Sequence, residues 1–203
     1  MDEHPQPGQA FMSALVTEHF VLQSARSTTT SEAVGRSAVY LACVSSSLVA
    51  FGFFAAATHR LAPVVATVLP ALIILGLFTF VRLVETAVQD TVLDQRVAAI
   101  RHYYATLDPA AAALFPSRED LMASGRPTST GKSFAMPEMF FTSASMIAAV
   151  NGILVAAGAA AVADAAGVTP PATVIVGVAA ALLAYGLHML WMHHRGGPAM
   201  AYR

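Results

Sequence analysis

Four stretches of this 203-residue chain contain no Asp, Glu, Lys or Arg: residues 37–58, 61–81, 140–163 and 165–191. No other feature constrains the fold as tightly, because about 20 helical residues suffice to cross a hydrocarbon layer roughly 30 Å thick. Inside such a layer the backbone must satisfy its own hydrogen bonds, and a helix does so within a single segment. The expected fold class is therefore all-α, a polytopic membrane protein with four transmembrane helices and cytoplasmic helical extensions. An apolar content of 56% against 11% charged residues departs from soluble averages in the same direction.

Charge and cysteine content narrow the partners. A net charge of -1 predicts no nucleic-acid partner. Cys43, the one cysteine, falls inside the first apolar stretch, so neither an intramolecular disulfide nor a metal site built on several thiolates is expected. The amino terminus is acidic (Asp2, Glu3) and apolar density arrives only at Ala38, unlike a cleavable signal peptide; the first span is expected to be retained.

Cations set the expected orientation. With four spans, Arg26, Arg36, Arg82, Arg96, Arg101, Arg118, Arg126, Lys132, Arg195 and Arg203 share one side and only Arg60 lies on the other. By the positive-inside rule this places the chain in the cell membrane as a multi-pass protein with both termini in the cytoplasm.

The chain divides along its length. Residues 1–10 read as a disordered tail. Residues 11–36 read as a cytoplasmic amphipathic helix, with Phe11, Leu15, Val21, Leu22 and Ala25 near helical spacing. Within it, Thr29 and Glu32 have the spacing of a capping box, which fits a fresh helix start; one continuous helix through Ser27 to Ser31 fits equally well. Residues 37–81 form a transmembrane hairpin, spans one and two, with Pro70 in the second span expected to bend it or free a carbonyl.

Residues 82–108 extend span two into the cytoplasm. Leu93, Val97, Ile100, Tyr104 and Leu107 alternate steps of four and three, the seam of a helix packed on a partner, and the partner expected is the 11–26 helix of the same or a neighbouring chain. Residues 109–138 read as a flexible cytoplasmic linker, 139–192 as spans three and four, and 193–203 as a cytoplasmic tail. In spans three and four, Ala148 with Gly152 and Gly177 with Ala181 have the four-residue spacing that permits close helix approach.

Constellations that carry chemistry are sparse. Gly125 to Ser133 reads GRPTSTGKS, but five residues separate its glycines where a phosphate loop requires four, and no strand precedes it. His188, His193 and His194 are separated by five and six residues rather than the four of a helical zinc pair. Neither motif is retained, and no catalytic residue, cofactor or metal is expected. The retained candidates are pore or helix-packing residues: Ser45, Ser46, Pro70, Arg82, Glu85 and Asn151. Span hydroxyls usually bond the preceding turn. Asn151 differs, since its amide needs a partner from another helix or from water. Arg82 with Glu85 reads either as a charged ring at a pore mouth or as an interfacial anchor with a weak i, i+3 pair. Asp and Glu are absent from every span, which argues against proton-coupled transport.

The segments EHFVLQSARSTTTSEAVGRSAVYLACVSSSLVA (Glu18 to Ala50) and FTFVRLVETAVQDTVLDQRVAAIRHYY (Phe78 to Tyr104) resemble a family of uncharacterised bacterial integral membrane proteins with four spans. The resemblance implies a four-helix membrane fold and transfers no activity or site residue. The expected function is a non-enzymatic helical assembly or interaction protein acting on the cytoplasmic side, with a homo-oligomeric channel as the alternative. Its expected partners are the lipid bilayer, further copies of itself and a cytoplasmic protein.

Overall fold

A computed structural model describes residues 8–57, 61–107, 114 and 142–200. Four long helices account for nearly all of them: α1 (Gln9–Ala57), α2 (Leu61–Leu107), α3 (Ser143–Ala165) and α4 (Pro170–Met200). All four are long and apolar enough to cross a membrane. Large apolar side chains such as Val174, Ile175, Val178, Leu182, Leu183 and Leu187 stand exposed along α4, as they do on a lipid-facing surface. The chain is an all-α, multi-pass membrane protein.

The described residues fall into two compact units, one built from residues 8–31 with 89–107 and the other from residues 32–57, 61–88 and 142–200. In the second, neighbouring helices run antiparallel. Glu32 of α1 meets Arg82 of α2, Leu69 of α2 approaches Gly158 of α3, and Gly152 of α3 lies against Ala181 of α4. The core of this unit joins Tyr40 and Val44 to Leu72, Phe80, Leu83 and Val84, and to Ile147, Leu154, Met189 and Met192. Close approach of α3 and α4 depends on small residues: a Cβ on Gly152 would stand 3.3 Å from the Ala181 carbonyl oxygen, and one on Gly177 3.3 Å from that of Ala156. Of the two small-residue pairs expected from the sequence, Gly152 of the first thus faces Ala181 of the second, while Gly177 faces Ala156.

Helix ends follow their local chemistry. Thr142 is the N-cap of α3, its hydroxyl accepting from the Ser145 N–H, so helix begins at Ser143 rather than at Phe140 as the apolar pattern implies. At the other end Gly167 adopts φ 77°, Val168 N–H bonds the Ala163 carbonyl and Gly167 N–H that of Asp164, a Schellman turn. Pro170 then opens α4, where a proline costs nothing because its N–H would lack a partner anyway.

Several expectations are corrected. Helix starts at Gln9, inside the expected tail. The alternative left open at Ser27–Ser31 falls to the continuous helix: Thr29 donates to the Arg26 carbonyl and Glu32 turns to arginines, so α1 is a single 49-residue helix. A back-bonding threonine satisfies itself without ending the helix, which a four-residue capping pattern cannot reveal. α4 runs past Trp191 to Met200, where a tail was expected, while α2 contains Pro70 without ending there. The linker and the GRPTSTGKS motif lie outside the described residues.

In the first unit the sequence seam closes from Leu93 to Tyr104, while Leu107, its last expected position, stands 41% exposed. Leu22 of α1 is buried against Val97 and Ile100 of α2, with Leu15, Leu93 and Tyr104 packed around them. Phe11 meets Tyr103 edge-on at 5.8 Å. The partner of the α2 seam is the α1 arm of the same chain.

Candidate functional site

Polar side chains in the apolar part of the bundle are the natural place to look for chemistry, because each must find a partner or remain costly. Among span hydroxyls, Ser47, Thr67 and Thr79 donate to the carbonyls of Cys43, Pro63 and Leu75, four residues back, and are thereby satisfied within their own helices. Asn151 is not. Its side chain is buried, 1% exposed, and reaches out of α3 towards α4, where Nδ2 lies 3.5 Å from His188 Nε2.

His188 fixes the polarity of that contact. Its Nδ1 lies 2.6 Å from the Ala184 carbonyl oxygen, which can only accept, so Nδ1 carries the proton and the Nε2 lone pair faces the amide N–H. The carbonyl oxygen of Asn151 consequently turns the other way, towards α1 and α2. There it and the Tyr40 hydroxyl are both buried, and neither has a hydrogen-bond partner among the described residues. Both press on the same point of α2: a Cβ on Gly76 would lie 2.5 Å from Asn151 Oδ1 and 2.7 Å from the Tyr40 oxygen. Only the absence of a side chain at residue 76 lets two polar groups from two other helices come this close to the α2 backbone. Phe80 and Trp191 wall the site, Phe80 standing 4.5 Å from the His188 ring and 5.7 Å from Trp191.

Charges cluster separately. Glu32 accepts from Arg36 at 2.8 Å and from Arg82 at 3.3 Å, and Arg82 also reaches Glu85 at 3.3 Å. The hydrogen bond from Arg36, aided by the positive charge of both guanidiniums, holds the Glu32 carboxyl below the usual carboxylate range. In the other unit Arg26 bridges Asp90 at 3.1 Å and Asp94 at 2.8 Å, all three side chains being largely withdrawn from solvent. His193 and His194 stand exposed on α4, and Arg195 lies 5.6 Å over the Trp191 ring. Among the described residues no three His, Cys, Asp or Glu side chains gather as metal ligands.

Compared with family models, curated proteins and solved structures, the chain matches none.

Of the residues singled out from the sequence, Arg82 and Glu85 do come together, and Asn151 is the buried polar group its chemistry demands. Ser45, Ser46 and Pro70 are exposed on the outer surface of α1 and α2 and share no site with Asn151. Tyr40, Gly76, His188 and Glu32 were missed as partners. Two signals point to them. Gly76 is the one glycine in the second apolar stretch, and His188 is the one titratable side chain besides Tyr185 in the fourth. A histidine judged only against zinc spacing is easily passed over as a hydrogen-bond partner for an amide on a neighbouring helix.

Proposed function

We propose that this protein is a non-enzymatic membrane assembly protein of the cell membrane, with both termini and the α1 and α2 arms in the cytoplasm. The observation that carries this reading is the closure of the two arms on each other. Leu22, Val97 and Ile100 are buried between them and Arg26 links Asp90 to Asp94, so the seam is consumed within one chain. What remains outward is a preformed two-helix surface bearing Glu18, Phe20, Arg96 and His102, all exposed. Such a surface recognises a folded partner at little ordering cost. The ten-to-one distribution of cations supports the cytoplasmic side. Two polar contacts of the bundle support a packing role: Asn151 meets His188, and Glu32 meets Arg82, each across a pair of helices.

Photocrosslinking in native membranes tests this reading, with the reactive group placed at Phe20 or His102 in turn. A discrete crosslinked species, either another copy or a distinct cytoplasmic protein, is the expected outcome. A uniform absence of crosslinks, together with ion flux through proteoliposomes that Asn151→Leu abolishes, would replace it with the channel reading.

A further inference from the structure

We propose that the Tyr40 hydroxyl and the Asn151 carbonyl bind a single buried water molecule between them, at a junction to which all four membrane helices contribute. The inference is independent of the assembly reading above. It starts from two polar atoms that are fully buried, unpartnered, and turned to the same place. Tyr40 is 0% and Asn151 1% exposed, and neither oxygen has a hydrogen-bond partner among the described residues. Their distances to the Cβ position on Gly76, 2.7 and 2.5 Å, put the two oxygens within about 5 Å of each other. That is an upper limit, and one water seated on the side away from the Gly76 backbone, with hydrogen bonds of about 2.7 Å to each oxygen, bridges separations below it.

The chemistry of the pair selects the ligand. Because His188 Nδ1 is committed to the Ala184 carbonyl, its Nε2 accepts from Asn151 Nδ2, and the amide must present its oxygen to Tyr40. The junction therefore offers one O–H donor and one C=O acceptor on opposite sides. A ligand that accepts from the phenol and donates to the amide fits both. An anion would find a single donor, and a bare metal cation would find one amide oxygen and one phenol, with no carboxylate among the four contributing residues. Water is the small uncharged molecule that does both, and buried waters characteristically serve two to four otherwise unsatisfied polar groups. Gly76 lets both oxygens stand against the α2 backbone: a methyl group there would come within 2.5 and 2.7 Å of them and push them off the shared water.

The water links α1 to α3 across α2, while Asn151 and His188 link α3 to α4. Three helices, α1, α3 and α4, thereby share one hydrogen-bonded chain beside Gly76 of α2, running from Tyr40 through the water, Asn151 and His188 to the Ala184 carbonyl.

The test uses the full chain in lipid nanodiscs and radiolytic hydroxyl labelling, which marks buried side chains only where they touch a bound water. Tyr40 is expected to label at a rate close to that of an exposed aromatic on the cytoplasmic arm such as Phe20, and several-fold more slowly in Gly76→Ala. Absence of Tyr40 labelling in the native chain, or labelling that Gly76→Ala leaves unchanged, overturns the proposal. A second measurement compares melting temperatures of Tyr40→Phe, Asn151→Leu and the double variant. Shared water predicts that the double variant melts no lower than the worse of the singles, whereas strictly additive losses count against it. Should Asn151→Leu not fold, Tyr40→Phe alone still decides through a density map. Water beside residue 151 that is present in the native chain and lost in Tyr40→Phe upholds the proposal; a direct phenol–amide bond with no intervening water overturns it.

Discussion

The Arg26 guanidinium stands 2.8 Å from the Asp94 carboxylate, and Asp90 one turn earlier on the same helix takes a second N–H at 3.1 Å. One cation thus holds two carboxylates that would otherwise repel each other across a helical turn. Removing it leaves their mutual repulsion uncompensated in a partly desolvated place. Arg26→Ala is expected to destabilise the paired arms by about 2 to 3 kcal/mol, below the range for fully buried pairs because the three side chains retain some solvent contact. Replacing Asp90 and Asp94 with Asn in the same background should recover most of the loss. Hydrogen exchange of the amides in residues 11–26 reads both effects.

Ile100 is 8% exposed and Val97 1%, at the centre of the seam. Truncation of Ile100 to Ala is expected to cost about 2 to 4 kcal/mol through lost burial and a residual cavity. Val92→Ala, at a position 39% exposed on the same helix, should stay within about 0.5 kcal/mol. Limited proteolysis of the arms distinguishes the two variants, with Ile100→Ala cut faster and Val92→Ala unchanged.

Glu32 gives the chain an acid-sensitive link. Its folded pKa lies below the ordinary value of 4.5 because Arg36, and then Arg82, favour the carboxylate. A depressed pKa means that the stabilisation is present above the unfolded-state value and is lost as pH falls through the folded one. The melting temperature of the native chain should therefore drop between pH 5 and pH 3 more than that of Glu32→Gln. Because Glu32 is solvent-accessible, the difference should be small and should shrink further in 1 M salt.

Two glycine replacements should move stability in opposite directions. At Gly76 a methyl group would collide with Asn151 Oδ1 and the Tyr40 oxygen, so Gly76→Ala is expected to lose about 1 to 3 kcal/mol. Gly35, also inside a helix, has open space around it, and Gly35→Ala should gain about 0.5 to 1 kcal/mol from helix propensity. Thermal unfolding of the two variants in one detergent shows whether the signs differ.

How much of this is legible in the sequence depends on the range of the interaction. The spans follow from hydropathy, and the Leu93–Val97–Ile100–Tyr104 seam follows from spacing, since both are properties of one helix. The facing of Gly152 on Ala181 was half legible: the small residues announce close approach without naming the partner. Asn151 announces itself because an amide in a span is unsatisfied by its own helix. Its partners do not, because Tyr40, Gly76 and His188 lie on three other helices and only the register between helices brings them together. The continuity of α1 through Ser27–Ser31 was hidden for a different reason. Hydroxyl side chains can cap a helix or bond back along it, and the choice is made by packing elsewhere.

The turn between α3 and α4 has a bearing on how the chain reaches its place in the lipid. Only residues 166–169 separate the two helices, and their backbone groups are tied off by the Gly167 turn. Two spans joined so closely enter the bilayer as one hairpin. Asn151 and His188, which sit opposite each other on that hairpin, then cross the interface already in contact. Each shields part of the other's polar surface, so an amide and an imidazole carried together on one hairpin cost less to place in the bilayer than the two placed there separately.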